Sequence, residues 1–323
     1  MDAWKGSVAV VTGAAGGIGA ALSRALARRG VTVVMTDIDA GRLAEAASGV
    51  PGAEHERMDV RNAAEVRALI DDTHSRYGRL DYLFNNAGVG VGGEIRYLTA
   101  DHWDRAIDVN IRGVLNGIAA AYPIMIRQGH GHIVNTASMA GLGPLPLVVP
   151  YATTKHAIVG LTRGLRMEAA PYGVRVSALC PTAVDTPMLD ATNPADLPSL
   201  EGAWRPDLRR YFHRLVGAPY PPDRLAEDTL RAVQRNEGMI VVPFSGRLRW
   251  WGARSTPSIA EIVVRRAFNA ERNAAARGER RRVSTATSAA TLRSAEAEPP
   301  AAQEPDSKAA GTTTANGSDE ATA

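Results

Sequence analysis

An α/β fold built on one wide, doubly wound sheet of seven parallel strands is what this chain predicts, and three observations predict it. Short runs rich in Val and Ile alternate with segments of helical period from the first residues onward, the signature of repeated βαβ units. Seven strand candidates are read along the chain, at 8–12, 31–36, 54–58, 82–85, 132–136, 175–179 and 239–242. The chain's 323 residues, 45% of them apolar, suffice for a single large core of this kind.

The elements follow in order. After the first run, Ile18, Ala21, Leu22, Ala25 and Leu26 form an i, i+3, i+4, i+7, i+8 stripe, and Gly30 stands where a left-handed helix cap is wanted. Trp103, Ile107, Val114, Leu115, Ile118 and Tyr122 predict one longer helix, and Ile158, Leu161 and Leu165 another; these faces should cover the sheet. Between 187 and 222 the alternation fails, and prolines at 187, 194, 198, 206, 219, 221 and 222 break any long element, so the stretch reads as an irregular lid. The expected body is 1–243. A basic amphipathic extension at 244–282 follows, with ten Arg against three acids. From Ser284 on the only large aliphatic residue is Leu292, so a disordered tail is expected over 283–323.

The net charge of +3 is small, and the basic character is local to the extension. The one cysteine, Cys180, excludes an intrachain disulfide framework and a multi-Cys metal site; it reads as a small core residue and fits a reducing cytoplasm. The sequence has no uninterrupted apolar run of about 18 residues, and a soluble, cytoplasmic protein without a metal is expected.

Directly after the first strand comes Thr12-Gly13-Ala14-Ala15-Gly16-Gly17-Ile18-Gly19, opening the amphipathic helix. Residues without Cβ permit both positive φ and the approach of a pyrophosphate to backbone and helix N-terminus, the Rossmann arrangement for a dinucleotide. The next strand ends at Asp37, eighteen residues beyond Gly19, where an acid accepts hydrogen bonds from the adenosine ribose and repels a 2′-phosphate. With no basic residue in the turn or beside Asp37 in sequence, NAD is favoured over NADP.

Tyr151 and Lys155 open a helical segment at i, i+4, which puts the phenol and the ammonium on one face. A neighbouring cation stabilises a phenolate and lowers its pKa, so the pair can transfer a proton. Around it, in order, stand the glycine turn, Asp59-Val60, Asn85-Asn86-Ala87-Gly88, Asn110 and Ser138. In this joint pattern the chain, over roughly residues 5–243, resembles the short-chain dehydrogenase/reductase family in its single-domain branch.

The resemblance implies a cofactor site of Gly13, Ala15, Gly17, Ile18, Gly19 and Asp37, with Asp59 and Val60 at the adenine and Asn86, Ala87 and Gly88 along the adenosine ribose. It implies that Ser138 binds the substrate oxygen, Tyr151 is the acid/base, Lys155 lowers its pKa and holds the nicotinamide ribose, and Asn110 anchors a water that links Lys155 to solvent. Pro181, Val184 and Thr186 are expected at the nicotinamide. Thr182 departs from the family's usual Pro-Gly at that loop, which puts its local geometry in question.

The expected reaction interconverts an alcohol and a ketone or aldehyde with NAD. Leu142, Leu145, Leu147, Val148 and Val149 suggest an apolar substrate, although loop leucines can equally pack against the lid. The rivals are a nucleotide-sensing binding protein, which needs no proton relay, and an epimerase or dehydratase, which resembles this pattern but has a larger C-terminal domain. The resemblance implies pairing of copies through helices near 103–126 and 151–170, as a homodimer or homotetramer. No nucleic-acid partner is expected. The stretch 244–268 either lies on an anionic membrane surface or packs its apolar face on the core or a second subunit.

Overall fold

The computed structural model describes residues 4–190, 193–201, 204 and 206–296, with side chains as far as Arg277. Its first half runs β1 (Val8–Thr12), α1 (Gly17–Ala27), β2 (Thr32–Asp37), α2 (Ala40–Ser48), β3 (Glu54–Arg57), α3 (Ala63–Tyr77), β4 (Tyr82–Asn85), α4 (Ala100–Ile107) and α5 (Gly113–Gln128). The second half runs β5 (Gly131–Thr136), α6 (Val149–Ala169), β6 (Val174–Pro181), α7 (Leu208–Val216), α8 (Pro222–Gln234), β7 (Met239–Val242), α9 (Phe244–Ser255) and α10 (Pro257–Glu296).

All seven expected strands form, three with the expected ends and the rest shifted by one or two residues. They pair in parallel in the order β3-β2-β1-β4-β5-β6-β7. Along β1 every residue is buried, because alternate side chains enter different layers: Ala9 and Val11 meet α1 and α8, while Val10 meets α3 and α5. Ion pairs from Arg28 and Arg29 to Glu227 fasten α1 to α8, and Arg29 foremost pulls the Glu227 carboxyl down to about 2. Gly30, φ +74°, turns the chain from α1 toward β2.

Three expectations are corrected. The single helix expected from Trp103 to Tyr122 is α4 and α5 joined by a π-helical turn, Asp108–Arg112. Inside the proline-rich lid a nine-residue helix forms, α7, where 207–216 is free of proline and Asp207 caps by accepting the Arg210 N–H. The disorder expected from 283 is not seen at that point, since α10 continues to Glu296; residues 297–323 lie outside the described residues. The compact body spans 1–276, and the residues from Arg277 onward form a separate unit. By length and composition Ala100–Gln128 could cross a membrane, but α5 packs on α3 and the sheet as a core helix.

Candidate active site

At the point where the strand order reverses, the carboxyl ends of β1 and β4 open a cleft of about 380 Å³. The β1–α1 turn forms its floor. Gly13 has φ +66°, and a Cβ there would stand 2.7 Å from the Ala87 Cα; one on Gly19 would stand 2.1 Å from the Gly13 carbonyl oxygen. Thr12 Oγ1 accepts the N–H groups of Asn86 and Ala87, both at 3.0 Å, and Asn86 Nδ2 donates to the Thr12 and Gly13 carbonyls at 3.1 and 3.3 Å. These bonds lace the turn to the loop after β4. No side chain caps α1, so its first N–H groups stay available to an anion, and Gly16, Gly17 and Ile18 line the cleft. This floor fits a dinucleotide pyrophosphate.

At the far end, Asp37 Oδ2 accepts the Ala15 N–H and Oδ1 the Asp39 N–H, each at 3.1 Å, which fixes the carboxylate toward the cleft. Asp59 and Val60 also line the wall. The Asp59 carboxylate accepts from Arg61 Nε and Nη2, which holds it below the usual carboxylate range, so it lines the cleft already paired. One expectation fails here. A basic side chain does reach the cleft that Asp37 lines: Arg42, carried back by the first turn of α2, also lines it, and its Nη2 lies 3.2 Å from where a Gly16 Cβ would be. Five residues of separation concealed it.

Ser138, Tyr151 and Lys155 meet at the other end. Lys155 Nζ is buried, donates to the Thr136 carbonyl at 2.7 Å and lies 5.5 Å from the Tyr151 ring centroid. Burial pulls its ammonium down to about 8. Burial also pushes the Tyr151 phenol above its ordinary value, while a hydrogen bond with the Ser138 side chain opposes the rise. Desolvation acts on both members of the pair, raising the phenol and lowering the ammonium, and the expected lowering of the phenol by Lys155 is not seen. Cys180 is a buried core residue whose thiol burial pushes up to about 12.

Asn110 sits in the π-helical turn, a bulge that re-aims one side chain out of the helical ladder. Its Oδ1 accepts the Val89 N–H at 2.8 Å, and its Nδ2 donates to the Val89 carbonyl at 3.0 Å and to Thr154 Oγ1 at 3.1 Å. The side chain therefore clamps the loop after β4 onto α6. Gly88 fits between: a Cβ there would lie 3.1 Å from Asn110 Oδ1 and 3.6 Å from Lys155 Nζ.

Pro181 and Thr186 line the cleft as expected. Val184 does not; its side chain is buried in the core, because its backbone bridges to Tyr220 and turns it inward. Thr182 is accommodated by a second small residue, since a Cβ on Gly246 of α9 would stand 2.9 Å from Thr182 Cγ2. Leu147 and Val148 are buried and Leu142 packs on the cluster around Trp250, so these supply no cleft wall. Val89, Val109 and Met188 are among the apolar side chains that line the cleft. Over it, the lid is pinned to the loop after β4: Asn193 Oδ1 accepts the Gly92 N–H at 2.9 Å, and Trp204 Nε1 donates to Glu94 at 2.5 Å.

Comparison with known proteins agrees with this geometry. The family model described as short chain dehydrogenase matches residues 7–197. The chain is 40% identical over 191 residues to an uncharacterized oxidoreductase of Staphylococcus saprophyticus, covering 58% of this chain and 82% of the relative. It is 41% identical over 199 residues to a Mycobacterium tuberculosis protein, (5R,7aS)-5-hydroxy-7a-methyl-1-oxo-2,3,5,6,7,7a-hexahydro-1H-indene-carboxyl-CoA reductase, covering 59% of this chain and 76% of that one. Among solved structures, a short chain dehydrogenase/reductase from Burkholderia phymatum in complex with NAD superimposes with a TM-score of 0.67 at 34% identity, covering 81% of this chain and 93% of that one. The 3-ketoacyl-(acyl-carrier-protein) reductase of Brucella melitensis complexed with NADH gives 0.66 at 29% identity, covering 74% and 98%.

Proposed function

This chain belongs to the short-chain dehydrogenase/reductase family of oxidoreductases, and from that premise we propose that it interconverts an apolar secondary alcohol and ketone, or primary alcohol and aldehyde, using NAD. The observation that carries the reading is the convergence of Ser138, Tyr151 and Lys155 at one end of a cleft whose other end fits a dinucleotide. A nicotinamide bound there supplies or accepts the hydride. The protein's own work is proton transfer and positioning.

In oxidation, Tyr151 Oη takes the hydroxyl proton of the alcohol while Ser138 Oγ donates a hydrogen bond to the substrate oxygen as charge builds on it. In reduction the phenol returns that proton. Lys155, pinned by the Thr136 carbonyl, holds its charge beside the phenol, and Asn110 fixes the Val89 loop that closes this end. Val89, Val109 and Met188 support an apolar substrate.

NAD rather than NADP is supported by Asp37, whose carboxylate is held by two backbone N–H groups and would repel a 2′-phosphate. Pairing of copies through α5 and α6 is part of the same reading and is supported by Leu115 and Met167, large apolar side chains left exposed on those helices. The test is turnover with NAD across alcohols and ketones of graded hydrophobicity, in the wild type and Tyr151→Phe. Loss of the transferable proton should lower kcat by about 10²–10⁴. Wild-type turnover in the variant would remove Tyr151 as the acid/base.

A further inference from the structure

Twelve large apolar side chains stand exposed among the described residues, and six of them fall between 244 and 263. Phe244, Leu248 and Trp251 follow one another by four and three residues on one face of α9 and are 65, 53 and 52% exposed. Ile259, Ile262 and Val263, at i, i+3 and i+4, share one face of the first turns of α10. Isolated exposed apolar residues are ordinary, but a run of this density is not.

These are not misdirected core faces, because each helix already has an inward side. Gly246 of α9 is buried against Thr182, and Trp250 packs with Met139 and Cys180. On α10, Phe268 lies 6.4 Å from the Trp204 ring, and Glu271 is fully buried between Arg210 and Arg214. The outward stripes are additional to these contacts.

The charge on this face points to its occupant. From 244 to 266 there are five arginines and one acid, Glu261. Arg247 pairs with Glu237 at 2.6 Å; among the described residues no carboxylate pairs with Arg249, Arg254, Arg265 or Arg266. A two-fold contact between copies would set this patch against itself, arginine toward arginine, while desolvating it. A surface that accepts apolar side chains and is itself anionic satisfies both halves, and Trp and Phe beside Arg are the residues that settle at the headgroup boundary. We propose that α9 and the first turns of α10 dock this protein on an anionic lipid bilayer, with the apolar stripes in the headgroup boundary and the arginines at lipid phosphates. The inference does not depend on the reaction catalysed in the cleft.

The test is co-sedimentation of the full chain with phosphatidylcholine vesicles, with and without phosphatidylglycerol. The wild type should pellet with the anionic vesicles only and be partly released by salt. Leu248→Glu combined with Trp251→Glu should weaken binding by at least about tenfold, as should Arg249→Glu combined with Arg254→Glu, whose exposed sites leave the fold intact if the first pair does not. Each variant's thermal midpoint is compared with the wild type. The proposal is overturned if the wild type stays in the supernatant with both vesicles, or if both variants bind as it does. It is also overturned if the first pair lowers the solution mass without lipid, which would make the face a subunit interface. Full competition by soluble polyglutamate would point to an acidic protein instead, with the same effect.

Discussion

Lys155 is buried and Tyr151 half-buried in the cleft wall, and this sets the sign of their pH behaviour. Because burial raises the phenol, Tyr151 is protonated at neutral pH and ready as an acid, while its base form grows with pH. The kcat/KM for alcohol oxidation should therefore climb about tenfold per pH unit above pH ~7, whereas carbonyl reduction stays level over the same range. Ser138→Ala removes the hydrogen bond that opposes the rise and should move the oxidation limb to still higher pH; a flat oxidation profile in the wild type would exclude Tyr151 as the base. At the other end of the cleft, Asp37 and Arg42 pull cofactor choice in opposite directions. Asp37→Ser with Arg42 retained should raise kcat/KM with NADP relative to NAD by on the order of tenfold or more, and Arg42→Ala in that background should reverse much of the gain. Asp37 was legible because an acid at a strand end has a fixed relation to the glycine turn. Arg42 was not, since its position depends on how α2 folds back.

At the scale of elements, most strands were readable because burial on both faces demands continuous apolar runs, β3 with its Glu-His-Glu-Arg sequence and exposed side chains being the exception, whereas the π-helical turn and α7 left weaker traces. The turn exists to aim Asn110 at Val89, a contact 21 residues away that no local pattern encodes. The lid helix α7 is held from outside by α10: Glu271 accepts from Arg210 Nε at 2.9 Å, from Arg214 Nη1 at 3.1 Å and from the Asp207 N–H at 3.1 Å. Arg209 then ties the same helix to Asp185 and Asp190 beside the cleft. Glu271→Ala should cost roughly 1–3 kcal/mol, less than for a wholly buried pair because both arginines remain partly solvated. Limited proteolysis should show faster cleavage between 187 and 207, with the sheet unaffected; unchanged cleavage would mean that α10 does not hold the lid.

For the whole molecule, acid stability is set in the centre of the sheet. His132 on β5 is buried, with Nε2 2.8 Å from Ser177 Oγ, and burial foremost, then Arg175 and Arg166, hold its imidazole down to about 3. Below its ordinary value of about 6.5 the unfolded chain takes up a proton that the folded chain refuses. Stability should therefore fall as pH drops from 6.5 toward 3, by up to about 1.4 kcal/mol per pH unit. Glu227, lowered to about 2, adds its own loss as pH falls below its ordinary value of about 4.5. Urea unfolding at several pH values between 7 and 5 should show this slope in the wild type and a shallower one in His132→Asn; equal slopes would clear His132. The sequence by itself determined the seven-stranded parallel sheet, the glycine turn, Asp37 and the order of Ser138, Tyr151 and Lys155, because each is written in local periodicity or short spacing. Only the tertiary structure decided the upward shift of Tyr151, the arrival of Arg42, the inward turn of Val184 and the outward stripes of α9 and α10. Desolvation, charge proximity and exposure are properties of packing, and they arise only when segments far apart in the chain are brought together.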